Sequence, residues 1–295
     1  MVVFMHNVKK IVNANNVYID GYSGRGVRIA LLDTGVAMHN ELEGRVVFFQ
    51  DYVNNKSGMY DDNGHGTHIA GIICGGECGM APGAELLVFK ILDQNGNGKT
   101  KDAIQALQWI LEHHREYQIR ILNFSMGYLP NASIKLQQKL MDLLEELWDA
   151  GVVVVTAAGN AGPGENTITV PGISRKVITV GIYEGENELR TKSVGKVYSS
   201  QGPTTCCIVK PEILAPGSEI LSLSHVNHQY TRKSGTSMAT PVVSGAIALA
   251  LEKRTNLLPV ELKLFLYDTV KRMPEIGKKN RAWGVLDVDN LIKML

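Results

Sequence analysis

Val152-Val153-Val154-Val155-Thr156-Ala157-Ala158-Gly159-Asn160 begins with four β-branched residues in a row and ends on small residues and a turn former. A run that is apolar on both faces of the pleat reads as a strand buried inside a parallel sheet. Upstream, Leu136, Leu140, Leu143, Leu144 and Leu147 recur at helical spacing, and Gly151 suits the end of that helix. The same alternation extends in both directions. Strands are expected at 27–32, 46–49, 86–92, 119–124 and 177–180, with helices at 65–74, about 103–111, 237–253 and 259–270. Residues 182–235 read as short strands and turns, and 287–295 as a terminal helix or turn. Strands alternating with helices imply right-handed βαβ units. The expected class is α/β, a three-layer fold with a mostly parallel twisted sheet and helices on both faces. One domain, 21–295, accounts for the pattern. Residues 1–20 are read as an N-terminal extension, a polar lead-in.

The composition is that of an ordinary globular chain: 295 residues, 44% hydrophobic, 20% charged, formal net charge +1. Near-neutrality supplies no field for nucleic acid or for an anionic membrane surface. No apolar run reaches the roughly 18 residues that span a bilayer. The first ten residues lack a signal-peptide pattern, so a cytoplasmic location is expected. The four cysteines are Cys74, Cys78, Cys206 and Cys207. A four-thiolate zinc site would need two distant loops to meet, and a Cys74–Cys78 disulfide is the other bonded option. Free, partly buried thiols are the preferred reading.

Functional groups of open α/β sheets gather beyond the carboxyl ends of strands. Asp33, Ser125 and Asn160 each follow an expected strand, and His65 and Ser237 each open an expected helix. Taken singly, each has an ordinary explanation. Asp33-Thr34-Gly35 suits a turn, Asn160 suits a loop, and Ser237 suits a helix N-cap. His68, three residues after His65, mimics metal-ligand spacing but reads as a structural histidine. Together, a serine, an imidazole and a carboxylate on one sheet edge are the parts of an activated nucleophile.

The segments Asp33-Thr34-Gly35, His65-Gly66-Thr67-His68-Ile69-Ala70-Gly71 and Gly235-Thr236-Ser237-Met238-Ala239-Thr240-Pro241 resemble, in this order, the signature segments of the subtilisin-like serine proteases. Ala158-Gly159-Asn160 lies between the second and the third. The resemblance runs from about residue 21 to 288 and is nearest to the family's intracellular branch. It implies a serine endopeptidase with Asp33 as orienter, His65 as general base and then acid, and Ser237 as nucleophile. Asn160 and the Ser237 N–H would form the oxyanion hole. An extended polypeptide would lie between Gly96-Asn97-Gly98 and Ser125-Met126-Gly127, with Asn63 beside it. Ala157, Ala158 and Gly159 would wall a pocket for a fairly large apolar side chain, giving a broad, apolar-leaning preference. Polypeptide substrates are the implied partners, with neither nucleic acid nor membrane among them. Oligomeric state is left open.

No cofactor is required by this reading. In calcium-stabilised members a carboxylate would fall at Glu41, but the segment 74–79 is too short for the rest of the ion's shell. The high-affinity calcium site is therefore expected to be absent, with Glu41 left largely alone. Room remains for a weak monovalent or calcium site at carbonyls near Gly172, Ser174 and Val177. Residues 1–10 are expected near the cleft as a short inhibitory extension. Two rival functions use the same segments. One is a peptide-binding pseudoprotease, disfavoured because all three residues of the triad are present. The other is a peptide ligase or macrocyclase, disfavoured because no water-excluding insertion is seen.

Overall fold

A computed structural model of the chain describes residues 3–126, 133–183, 199–204, 208–272 and 282–295. Gly127, Cys206 and Cys207, singled out above, lie outside the described residues. The elements in order are α1 (Val3–Ile11), α2 (Asn15–Ile19), β1 (Arg28–Asp33), β2 (Val46–Asp51), α3 (His65–Cys74), β3 (Glu85–Lys90) and α4 (Thr100–His113). They continue with β4 (Ile119–Phe124), α5 (Ile134–Asp149), β5 (Val153–Ala157), β6 (Ile178–Tyr183), β7 (Ile213–Pro216), β8 (Ile220–Leu223) and β9 (Tyr230–Lys233). The last four are α6 (Thr236–Lys253), α7 (Pro259–Thr269), β10 (Gly284–Val285) and α8 (Val288–Met294).

Eight strands form one sheet in the order β10-β7-β6-β5-β4-β1-β3-β2, parallel at every pairing. The all-valine strand is central and wholly buried, as its composition requires. Helices α4 and α5 pack together, and α3 packs with α6, so the sheet is covered on both faces. The chain adds β3 on one side of β1 and β4 on the other. That reversal opens a crevice at the carboxyl ends of β1 and β4.

Helix α6 is buried almost all round because it is built from small residues. A Cβ on its Gly245 would sit 2.4 Å from Met80 Cβ, so glycine allows the closest approach to the segment behind α3. At the end of α5, Gly151 takes φ +97 just past the last turn, the left-handed terminator that its sequence position suggested.

The lead-in is a correction. Residues 3–19 are mostly helical, and Met5, Val8, Val12, Ala14 and Val17 are buried in the main core. Spacing 5, 8, 12 is a helical stripe, hidden in the sequence by the polar His6, Asn7, Lys9 and Lys10 between. Helix α1 packs against β8, and the Val288 N–H donates to Val12 O at 2.8 Å, tying the start of the chain to its end. None of residues 3–12 lines the cleft described below, against the expectation of an inhibitory segment there. Replacing Met5 by alanine should lower the unfolding free energy by about 2–5 kcal/mol. Denaturant unfolding measures it, and kcat/KM should stay unchanged. A surface lead-in would give a change within about 0.5 kcal/mol.

Candidate active site

Asp33 is the last residue of β1 and is wholly buried. Its Oδ1 accepts from the Thr34 N–H at 2.7 Å and from His65 Nδ1 at 2.7 Å, and its Oδ2 lies 2.9 Å from the same nitrogen. His65 is the first residue of α3. The Thr34 hydroxyl accepts from the Gly66 N–H at 2.9 Å and donates to Asp61 Oδ1 at 2.9 Å. Asp61 also accepts from the N–H groups of Asn63, Gly64 and Thr67 and from the Thr67 hydroxyl. One buried carboxylate thus fastens the entry to α3 to the end of β1, and the Asp33–His65 distance follows. Burial works against charge on Asp61, but these hydrogen bonds outweigh it and hold its pKa below the usual value.

The loops on either side are pinned from beneath. Lys90, fully buried at the end of β3, donates to Thr34 O at 2.6 Å and Leu92 O at 2.8 Å, and pairs with Asp62 at 2.7 Å. Asn63 accepts from the His65 N–H and donates to Gln94 O.

Ser237 is the second residue of α6 and does not cap it. Gly235 holds the capping position, with φ +152 and no side-chain bond. A Cβ there would meet Asn160 Nδ2 at 3.4 Å. The hydroxyl of Ser237 is therefore spared the backbone role that an N-cap serine has. Pro241 lacks an N–H, so the Ser237 carbonyl has no i+4 partner in the helix.

Asn160 follows β5. Its Oδ1 accepts from both the N–H and the hydroxyl of Thr236, at 3.0 and 3.1 Å, while the Thr236 hydroxyl accepts from the Gly159 N–H. With the oxygen so engaged, the amide turns its Nδ2 donors the other way. Ser125 lies after β4 and is tied by Asn123, whose own amide oxygen accepts from Ser244 of α6.

These residues share one cleft of about 530 Å³. It is lined by His65, Ser237, Asn160, Asn63, Gly96, Asn97, Gly98, Ser125, Met126 and Gly159, all named from sequence. Ala157 and Ala158 are almost wholly buried and sit behind the lining, so only Gly159 of that trio faces it. Thr34, Leu92, Asn95, Thr169 and Thr236 were missed. Thr169 bonds to Ala158 O, and its side chain would lie 2.6 Å from a Cβ on Gly159. Gly96 has its own reason to be glycine: φ +76, in a turn closed by the Asp93 N–H on Asn97 O.

Two histidines resolve differently from one another. His68 is buried with Nε2 against Ile220 O at 3.0 Å and Thr231 O at 3.2 Å, and burial first of all lowers its pKa to about 3. It is a neutral structural residue, as expected. His225, given no role from sequence, lies on the β8–β9 hairpin against Gly64, where a Cβ would meet its Nδ1 at 2.1 Å.

The His65 pKa is raised. Burial pulls it down, but the Asp33 charge and hydrogen bond outweigh that, while Lys233 opposes the charge from the other side. A base must be neutral to act, so the acid limb of kcat/KM should lie above the ordinary histidine value of 6.5. Lys233→Met removes a depressing charge and should move that limb further up in pH. A downward or absent shift in the kcat/KM profile would contradict the assignment.

The metal expectations meet protein groups instead. Glu41 is not left alone: it accepts from the N–H groups of Glu77 and Cys78, at 3.1 and 3.2 Å, and from the Tyr230 hydroxyl. Burial opposes its charge, yet these bonds hold its pKa below the usual value. Near the second expected site, Gly172 O accepts from the Thr179 hydroxyl, and the Ser174 hydroxyl donates to Glu145. Val177 O accepts from two lysine ammonium groups. Two of the expected carbonyls, Gly172 O and Val177 O, are thus engaged by donors of the protein itself. Among the described residues, no group of three or more His, Cys, Asp or Glu is placed to hold a metal ion. Cys74 and Cys78 are free and buried, and burial raises both thiol pKa values. No helix among the described residues is long and apolar enough to cross a membrane.

Comparison with known proteins gives the family. A family model described as the subtilase family matches residues 24–285. The serine protease AprX of Bacillus subtilis is 37% identical over 295 residues, covering 92% of this chain and 67% of that one. Subtilisin DY of Bacillus licheniformis is 32% identical over 272 residues, covering 89% and 90%. A solved cold-adapted subtilisin-like serine proteinase aligns with TM-score 0.72 and 30% identity over 91% of this chain and 90% of its own. The chain belongs to the subtilase family and is a serine-type endopeptidase.

Proposed function

We propose that this endopeptidase acts through Ser237, His65 and Asp33, forming an acyl-enzyme on Ser237 that water then hydrolyses. The observation that carries the reading is the buried Asp33 carboxylate bonded to His65 Nδ1, with His65 and Ser237 lining the same cleft. Asp33 holds the Nδ1–H tautomer, so Nε2 takes the Ser237 proton and later returns it to the leaving amine. The tetrahedral oxyanion receives Asn160 Nδ2 and the Ser237 N–H, the latter reinforced by the positive end of α6. The substrate is an extended polypeptide whose main chain lies between 96–98 and 125–126. The preference is broad and apolar-leaning, with room for a fairly large side chain beside Gly159, where Thr169 also lines the cleft. A cytoplasmic location, tested by cell fractionation, belongs to the same reading.

The test is covalent labelling by a serine-directed phosphonate, with intact-mass detection. The parent should gain one adduct mapped to Ser237, and Ser237→Ala should gain none. A parent that is not labelled, or is labelled elsewhere, would sink the assignment.

A further inference from the structure

The carbonyl cluster before β6 has the shape of a cation cage, and a side chain fills it. Lys263, from the middle of α7, reaches in until its ammonium lies 2.6 Å from Arg175 O, 3.2 Å from Lys176 O and 2.9 Å from Val177 O. Glu212 Oε1 is 2.8 Å away, and the Trp148 ring faces the ammonium at 5.5 Å. Three successive carbonyls converging with a carboxylate is a donor set of the kind hard cations select. The oxygens are not turned inward by secondary structure, since these residues precede the strand. They converge on a positive charge, and that charge is the lysine's.

A second lysine supports the frame. Lys210, wholly buried, donates to Val177 O at 3.0 Å and to the Thr179 hydroxyl at 2.8 Å, and pairs with Glu212 Oε1 at 2.7 Å. Glu212 is itself buried, and its Oε2 accepts from the Thr179 N–H at 2.7 Å. Two ammonium groups thus share one carboxylate, and the surplus positive charge is met by carbonyl dipoles. Burial, with repulsion from Lys263 as a lesser cause, pushes the Lys210 pKa down to about 8. Tyr267 also lies by Glu212, its hydroxyl 3.3 Å from Oε1.

We propose that Lys263 is a built-in counterpart of a monovalent cation, so that the carbonyl cage at 175–177 is permanently occupied and the fold needs no free ion there. The arrangement matters for the cleft. The caged segment runs directly from the loop that bears Thr169 and continues into β6, next to the strand that delivers Asn160. A fixed ammonium makes that support independent of the salt around the protein. A free ion would make it depend on ion concentration through mass action.

Thermal unfolding midpoints test this in a Ser237→Ala background, which removes self-digestion. They are compared in potassium, sodium and tetramethylammonium chloride at equal ionic strength. The parent should melt at the same temperature in all three salts. Lys263→Ala empties the cage, so it should melt several degrees lower in tetramethylammonium and recover along a saturable curve with potassium or sodium. Lys263→Met keeps the stem in the cage without the charge, so it should be destabilised and show no such recovery. Two results overturn the proposal: saturable stabilisation of the parent by potassium or sodium but not by tetramethylammonium, or a folded Lys263→Ala that no small cation restores. If Lys263→Ala does not fold, the parent titration decides alone, a flat response supporting occupancy by the lysine.

Discussion

Ser237→Ala should lose about 10⁶-fold in kcat, the scale of the loss when the nucleophile of a subtilisin triad is removed. The folded state should scarcely notice. Ser237 caps nothing, because Gly235 holds that position, and its side chain is only half-buried at the cleft. Removing one hydroxyl there should leave the unfolding free energy within about 0.5 kcal/mol. The residual rate, about 10³–10⁴ over water, would come from the oxyanion donors and from substrate binding. Kinetics on an extended peptide, with denaturant unfolding as the control, measure both quantities. Retention of more than a few per cent of the activity would show that Ser237 is not the nucleophile. Equal losses in activity and stability would indicate a structural residue.

Asp33→Asn is expected to cost about 10⁴-fold in kcat with the cleft intact. The reason is local geometry. Asp33 presents two acceptors to His65 Nδ1, Oδ1 at 2.7 Å and Oδ2 at 2.9 Å, and Oδ1 also accepts from the Thr34 N–H. An asparagine that keeps its oxygen on Thr34 replaces Oδ2 by an N–H donor, so the Nδ1–H tautomer loses its carboxylate and the tautomer with the proton on Nε2, which cannot take a proton from Ser237, gains a partner. Loss of the carboxylate also removes the charge that raises the His65 pKa, so that pKa should fall. NMR titration of the imidazole reads the fall directly. A variant with normal kcat, or one in which the His65 pKa rises, would contradict the pairing.

Much of this is legible in the amino-acid sequence. Helix α3 at His65–Cys74 and strand β4 at Ile119–Phe124 fall where their patterns put them, because burial on most sides leaves a continuous apolar signature. The ends of β1, β4 and β5 locate Asp33, Ser125 and Asn160 because a parallel sheet carries its working loops on one edge. The lead-in is less legible, because its composition hides a helical stripe. Met5, Val8 and Val12 are apolar at the right spacing, but the polar residues between them outweighed it.

Other features had no local signal at all. Asp61 reads as one more polar loop residue, and only the approach of α3 to β1 gives it five donors. Thr169 reaches the cleft from a loop whose path no periodicity describes. Glu41 read as an abandoned ligand until Tyr230 and the 77–78 backbone were brought to it.

The sequence by itself determined the parallel α/β architecture and the order Asp33, His65, Ser237 along the chain, since periodicity and short glycine-marked segments are local properties. Only the tertiary structure decided what meets each buried or half-buried polar group. Asp33 meets an imidazole, Glu41 meets N–H and O–H groups, and the carbonyls at 175–177 meet Lys263. The physical reason is that a buried charge is tolerable only beside its partner. Those partners are supplied from segments far apart in the chain, so no window of sequence contains both.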